Sequence, residues 1–176
     1  MAQGNPLQPL FVEQQRFTQW WLWVVVGGIA ALEWWGFVQQ IILRRPFGDN
    51  PAPDSVMLVI TMLFGIGLPW LMLSCRLVTV VRPDALYVRF VPFHLRPRAI
   101  SYAEIKGCQA VRYSPLLDYG GWGIRMGRGG MAYNVSGNLG VRLQLASGRH
   151  LLIGSRDPSA LAAAIDKARQ PQAPVA

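Results

Sequence analysis

Two stretches of the chain are apolar almost without a break, and most of the remainder alternates. Trp20 to Leu43 (WWLWVVVGGIAALEWWGFVQQIIL) carries one charge, Glu33, and Ser55 to Cys75 (SVMLVITMLFGIGLPWLMLSC) carries none. A hydrocarbon core of about 30 Å needs about 20 helical residues, so each stretch is long enough to cross it. A cleaved signal peptide fits poorly, because the first run starts late, exceeds the usual apolar length and has no small-residue cleavage site behind it. The pattern predicts a transmembrane hairpin over 19–75, with spans at about 20–43 and 55–75. Its connecting segment, RRPFGDNPAPD, is polar and rich in Pro. Asp54 or Ser55 is placed to cap the second helix, and Pro69 to kink its end.

Before the first span, residues 1–10 read as a loose tail. Phe11 to Gln19 (FVEQQRFTQ) reads as an interfacial lead-in, with Trp20, Trp21 and Trp23 as an aromatic belt. Residues 1–18 are therefore expected to stand apart from the domain that follows the hairpin.

That domain, 76–170, is predicted to be β. Leu86, Val88 and Phe90 alternate with Tyr87 and Arg89, and Val141, Leu143 and Leu145 alternate with Arg142 and Gln144. Three or four more short strands lie between these two regions. Asp157 as N-cap, Pro158 at the first helical position and the Leu161–Ile165 pair predict a closing helix. About seven strands and one helix result, followed by a disordered tail at 171–176.

Charge sharpens the division. Residues 76–176 carry about +9 and residues 1–75 about −1, and twelve of the fourteen cations after Cys75 are Arg. The hairpin's loop offers Arg44 and Arg45; its other end offers Arg16, Arg76, Arg82 and Arg89. The positive-inside rule then places the N-terminus and the domain on the cytoplasmic side of an inner membrane. Tethered there, the basic domain is drawn to anionic headgroups, at roughly 1 kcal/mol for each basic residue near the surface. Nucleic-acid binding is not expected, since no recognisable motif accompanies the charge.

The order of elements, together with FVEQQRFTQWWLW, YGGWGIR, AYNVSGNLGV and LLIGSRDPSALAAAI, resembles a family of small bacterial membrane proteins. In that family two N-terminal transmembrane helices precede a pleckstrin-homology-like domain. The resemblance implies a membrane-anchored α+β chain with an antiparallel sheet or partly open barrel capped by the C-terminal helix. It implies no activity and brings no catalytic residues.

The stretch from Tyr119 to Asn138 holds seven glycines. Gly127, Gly129 and Ala132 fit the G-x-G-x-x-A dinucleotide fingerprint, but that motif must open a helix, and YNVSGN follows instead. The glycines therefore read as turns at Gly129–Gly130 and Gly137–Asn138, with Gly120, Gly121 and Gly123 at bulges or close approaches. Trp122 either plugs the sheet core or anchors a partner at the surface beside Arg125 and Arg128. With Arg89 and Arg142, these residues make up the expected contact surface for a partner or lipid.

Glu33 is the sharpest single position. A carboxylate deep in a bilayer is unfavourable by about 2.5–3.5 kcal/mol on insertion scales, so a partner or a purpose is expected. Gly27 and Ala31 make a small-xxx-small step suited to helix packing, and Gly65 and Gly67 offer a close contact on the second span. Trp34 and Trp35 are candidates to contact lipid, another helix, or a flat cofactor such as a quinone or pigment. Cys75 and Cys108 read as buried apolar positions, and His94 and His150 lie near no nucleophile motif or metal-spaced cluster. No enzymatic role, metal or required cofactor is expected. The sequence points to an accessory or stabilising subunit docking on other integral membrane subunits, with a lipid-binding scaffold as the alternative.

Overall fold

The computed structural model describes residues 8–127 and 129–170, which fall into two compact units. One unit, Phe17–Cys75, is helical. The other comprises, of the described residues, those up to Arg16 together with those from Arg76 onward.

In the helical unit, α1 (Trp20–Phe37) continues without a break into a π-helical turn, Val38–Ile42. The second apolar helix runs as α2 (Asp54–Ile60), a π-helical stretch (Thr61–Gly67) and α3 (Leu68–Ser74). Both apolar helices are long and apolar enough to cross a membrane by length and composition. The N-cap of α2 is Pro53, not Asp54 or Ser55, and no side chain caps it. Asp54 instead accepts from Gln40 Nε2 at 2.9 Å and lies 3.9 Å from the Arg44 guanidinium. Gln40 Nε2 also donates to the Ala52 carbonyl at 2.6 Å, so a side chain at the end of the first helix holds the far end of the Pro-rich connection.

The sheet unit has nine strands in two sheets among the described residues, and no closed barrel. The first sheet has the order β1-β2-β3-β4: Phe11–Arg16, Arg76–Val81, Ala85–Val91 and Arg98–Ser101, all antiparallel. The second includes β5 (Ile105–Arg112), β6 (Gly123–Gly127), β7 (Gly130–Asn134), β8 (Leu139–Leu145) and β9 (His150–Gly154), ordered β5-β8-β9-β7-β6. Within it β7 and β9 run parallel, so the sheet is not wholly antiparallel. A short helix, α4 (Pro115–Tyr119), precedes β6, and α5 (Pro158–Arg169) closes the chain. Leu161 and Ile165 of α5 are fully buried, as are Leu77, Leu86 and Val88 of the first sheet and Val141, Leu143 and Ile153 of the second. As the sequence suggests, Asp157 caps α5, its Oδ1 accepting from Ala160 N at 2.9 Å.

One boundary must be moved. Phe11 to Arg16 is not an interfacial lead-in but the edge strand of the first sheet, paired with β2 from Phe11↔Val81 to Arg16↔Arg76. Gln15 is buried and its Nε2 donates to the Gly154 carbonyl at 2.7 Å. Glu13 accepts from Ser155 Oγ at 2.6 Å and Arg156 N at 2.7 Å. Polar residues with distant partners occupy the inward positions, which hides the strand from a reading based on apolar alternation. Residues 1–7 and 171–176, expected to be tails, lie outside the described residues.

Candidate functional site

The helical unit divides α1 into two faces. Val26, Gly36 and Gln40 are buried, and Glu33 and Phe37 are half-buried on the same side. Gly36 is the close-approach position: a Cβ there would meet Met57 Cε and Phe47 Cε1 at 3.1 Å. Gly27 and Ala31, by contrast, are exposed, and a Cβ on Gly27 would meet nothing within 4 Å. That small-residue step takes no part in packing the two helices together. With Trp35, 59% exposed, it forms an i, i+4, i+8 stripe on the open face.

Trp34 belongs to the hairpin. Its Nε1 donates to the Gly65 carbonyl at 3.2 Å. Pro69 has no N–H to offer the carbonyl four residues back, which is that of Gly65, and the indole supplies a donor there. Gly65 is buried, and a Cβ on it would meet Trp34 Nε1 at 3.3 Å. Of the two tryptophans weighed for a flat cofactor or a second helix, Trp35 therefore presents the open face. Among the described residues Glu33 has neither a hydrogen-bond nor an ion-pair partner.

The sheet unit disperses the residues expected to form a contact surface. Arg89 is on β3 of the first sheet, and its Nε donates to the His94 carbonyl at 3.1 Å. Arg142 is half-buried on β8 of the second sheet, with its Nε buried and unpartnered. Trp122 and Arg125 do come together: Arg125 Nε donates to the Trp122 carbonyl at 3.0 Å. Trp122 is half-buried and its Nε1 donates to the Gly137 carbonyl at 3.0 Å, so it neither fills the core nor stands free. Arg128 lies outside the described residues.

The glycine stretch makes a cap and turns, with no helix opening behind Ala132. Gly120 is the left-handed cap of α4 at φ 69°, and Gly121, Gly123, Gly130 and Gly137 all have positive φ. Gly130 also lets β7 approach His150, whose carbonyl oxygen lies 2.2 Å from where a Cβ would stand.

Burial is the leading perturbation of Cys108, Tyr113 and His94, whereas Asp84 is lowered and Tyr87 raised first by the hydrogen bond between them. Burial pushes the Cys108 thiol up to about 11 and the Tyr113 hydroxyl up to about 12. His94 is held below the ordinary imidazole range by burial first and by the Arg98 charge second. Its Nδ1 accepts from Phe90 N at 3.2 Å and its ring meets Tyr133 edge-on at 5.4 Å. No cluster of three or more His, Cys, Asp or Glu suited to a metal occurs among the described residues.

Among the grooves of the sheet unit, two bear on the residues above. One, of about 330 Å³, is lined by Arg98, Met126, Met131, Arg149 and His150 among others. The other, of about 350 Å³, lies on the outward face of the first sheet and includes Gln14, Arg76, Val78, Val80 and Arg89. Arg16 and Arg76 stand directly opposite each other in the β1–β2 register, a pairing of residues 60 positions apart that no local sequence signal announces.

Residues 7–170 match the model of a family of unknown function, DUF6141, and the chain belongs to that family. No curated protein matches the chain.

Proposed function

We propose that this member of the family is a non-catalytic, membrane-anchored docking protein, an accessory or stabilising subunit of a larger membrane complex. Its two apolar helices form a transmembrane hairpin, and its sheet unit lies on the cytoplasmic side of the inner membrane. The anchoring reading draws on exposure: only 11% of the apolar window in the first helix and 17% in the second is buried within the chain. Apolar surface on that scale suits lipid or neighbouring helices and not water. Orientation follows from Arg16, Arg76, Arg82 and Arg89 flanking one end, against Arg44 and Arg45 in the connection, with Arg44 near Asp54. The sheet unit is read as pleckstrin-homology-like on its four-stranded meander, second sheet and closing helix, with the β6–β7 hairpin and the parallel β7–β9 pair as elaborations.

Glu33 carries the docking reading. It sits midway along an apolar helix without a partner among the described residues, and a donor on another membrane helix relieves that penalty. The exposed Gly27–Ala31–Trp35 stripe gives a second helix room to approach on the neighbouring face. The test is Glu33→Gln expressed in native membranes, extracted in mild detergent and resolved by native electrophoresis. The variant should remain membrane-bound and folded but leave the high-mass assembly. Assembly equal to that of the wild type would remove Glu33 from the account. A scaffold bound to anionic lipid without a stable complex is the second reading, favoured by the basic outward face of the first sheet.

A further inference from the structure

We infer that the outward face of the first sheet holds the phosphate of an anionic phospholipid headgroup between Arg16 and Arg76; this rests on the membrane-anchored reading above. The two residues are cross-strand partners in the antiparallel β1–β2 pair, so both side chains project from one face side by side. Like charges directly opposite one another destabilise a sheet. Among the described residues neither has an ion-pair or side-chain hydrogen-bond partner to offset this, and Arg76 Nε is buried without an acceptor.

The face around them is built for an anion with an apolar continuation. Strand alternation puts Arg16 beside Gln14, and Gln14 and Arg76 line a groove with Val78, Val80, Val91 and Arg89, the last opposite Val78 in the register. No Asp or Glu occupies an outward position of β1, β2 or β3. Glu13 points to the opposite face and is taken by Ser155 and Arg156. Asp84, at the β2–β3 turn, accepts from the Tyr87 hydroxyl at 2.5 Å and attracts Arg82, whose guanidinium lies 5.4 Å from the Tyr87 ring centre. Arg82 is thereby answered within the chain, while among the described residues Arg16 and Arg76 are not, and Arg89 has only the His94 carbonyl. A guanidinium pair matches phosphate oxygens in geometry as well as charge.

Lipid is the source that chain connectivity favours. Arg16 precedes Trp20 by four residues and Arg76 follows Ser74 by two, tethers of at most about 14 Å and about 7 Å.

The test uses the full chain in vesicles of phosphatidylcholine with or without phosphatidylglycerol, scored after gentle extraction by native mass spectrometry for retained lipid. Wild type should retain phosphatidylglycerol over phosphatidylcholine. Arg16→Gln/Arg76→Gln should lose at least about tenfold of that preference, whereas Arg112→Gln/Arg149→Gln keeps it. In lipid-free detergent Arg16→Gln should melt no lower than wild type, because a repulsion is removed, and phosphatidylglycerol should raise the melting temperature of wild type only. Preference unchanged in the Arg16/Arg76 variant, or lost equally in the Arg112/Arg149 variant, overturns the site. Saturation by millimolar inorganic phosphate with no preference between lipids overturns the lipid assignment. A chain that fails to partition into either vesicle fails the anchoring reading instead, a result told apart by flotation.

Discussion

Gln15 Nε2 donates to the carbonyl of Gly154 across 139 residues of chain, at 2.7 Å. Gln15 is 1% exposed, so the bond joins the first strand to the end of the ninth away from water. Gln15→Ala leaves that carbonyl without its donor, a loss of about 1–3 kcal/mol. Urea unfolding of the detergent-solubilised chain, followed by near-ultraviolet circular dichroism, should show a lower midpoint. Deleting residues 1–16 should do more, removing the edge strand and the Glu13 contacts with Ser155 and Arg156. An unchanged midpoint in both variants would return this segment to a role outside the fold.

Gly130→Ala should rank among the most damaging single changes in the sheet unit. Gly130 has φ 98°, and the added methyl would stand 2.2 Å from the His150 carbonyl oxygen. Gly137 has φ 68° but open space around it, so Gly137→Ala carries only the conformational term, about 1 kcal/mol. Thermal melting of the two variants side by side checks the order; equal losses would contradict the β7–β9 packing.

The Trp34–Gly65 bond should depend on Pro69. Trp34→Phe removes the indole donor, with an expected loss of about 1 kcal/mol in hairpin stability. Pro69→Ala offers the Gly65 carbonyl a backbone donor, so Trp34→Phe should be milder in that background. A double-mutant cycle on unfolding in detergent reads the coupling, and strictly additive losses would contradict it.

His94 should make the sheet unit acid-sensitive. Its folded pKa lies below the ordinary imidazole value, so the fold favours the neutral ring whose Nδ1 accepts from Phe90 N. The resulting stability is fully present above about pH 6.5, the unfolded value, and is lost as pH falls from there toward the folded pKa. His94→Gln should flatten the stability profile as pH falls below about 6.5. A slope unchanged by the substitution would remove His94 as its source.

The parts of this fold legible in the sequence are those coded locally. Twenty-odd apolar residues announce the two long helices, and Asp157-Pro158 with Leu161 and Ile165 announces α5. Alternation exposes β2, β3 and β8. The first strand stays hidden because Glu13 and Gln15 face inward to partners 142 and 139 residues away. The short α4 is built from a Ser114 cap and a left-handed Gly120, a glycine that by sequence reads as a bulge or close approach and not as a helix cap. For the site, Glu33 and the Gly27–Ala31 step are visible as residue types. That Gly36 packs the hairpin while Gly27 faces outward depends on which side of α1 meets the second helix. Arg16 and Arg76 look like two ordinary flanking charges until strand register sets them side by side.

The mass of the particle carrying this chain, extracted from native membranes in mild detergent, tests the docking account most directly. The account predicts a stable assembly much larger than the 19.6 kDa chain, containing other integral membrane proteins and losing this chain when Glu33 is replaced by Gln. A monomer or small homo-oligomer carrying only lipid would contradict it.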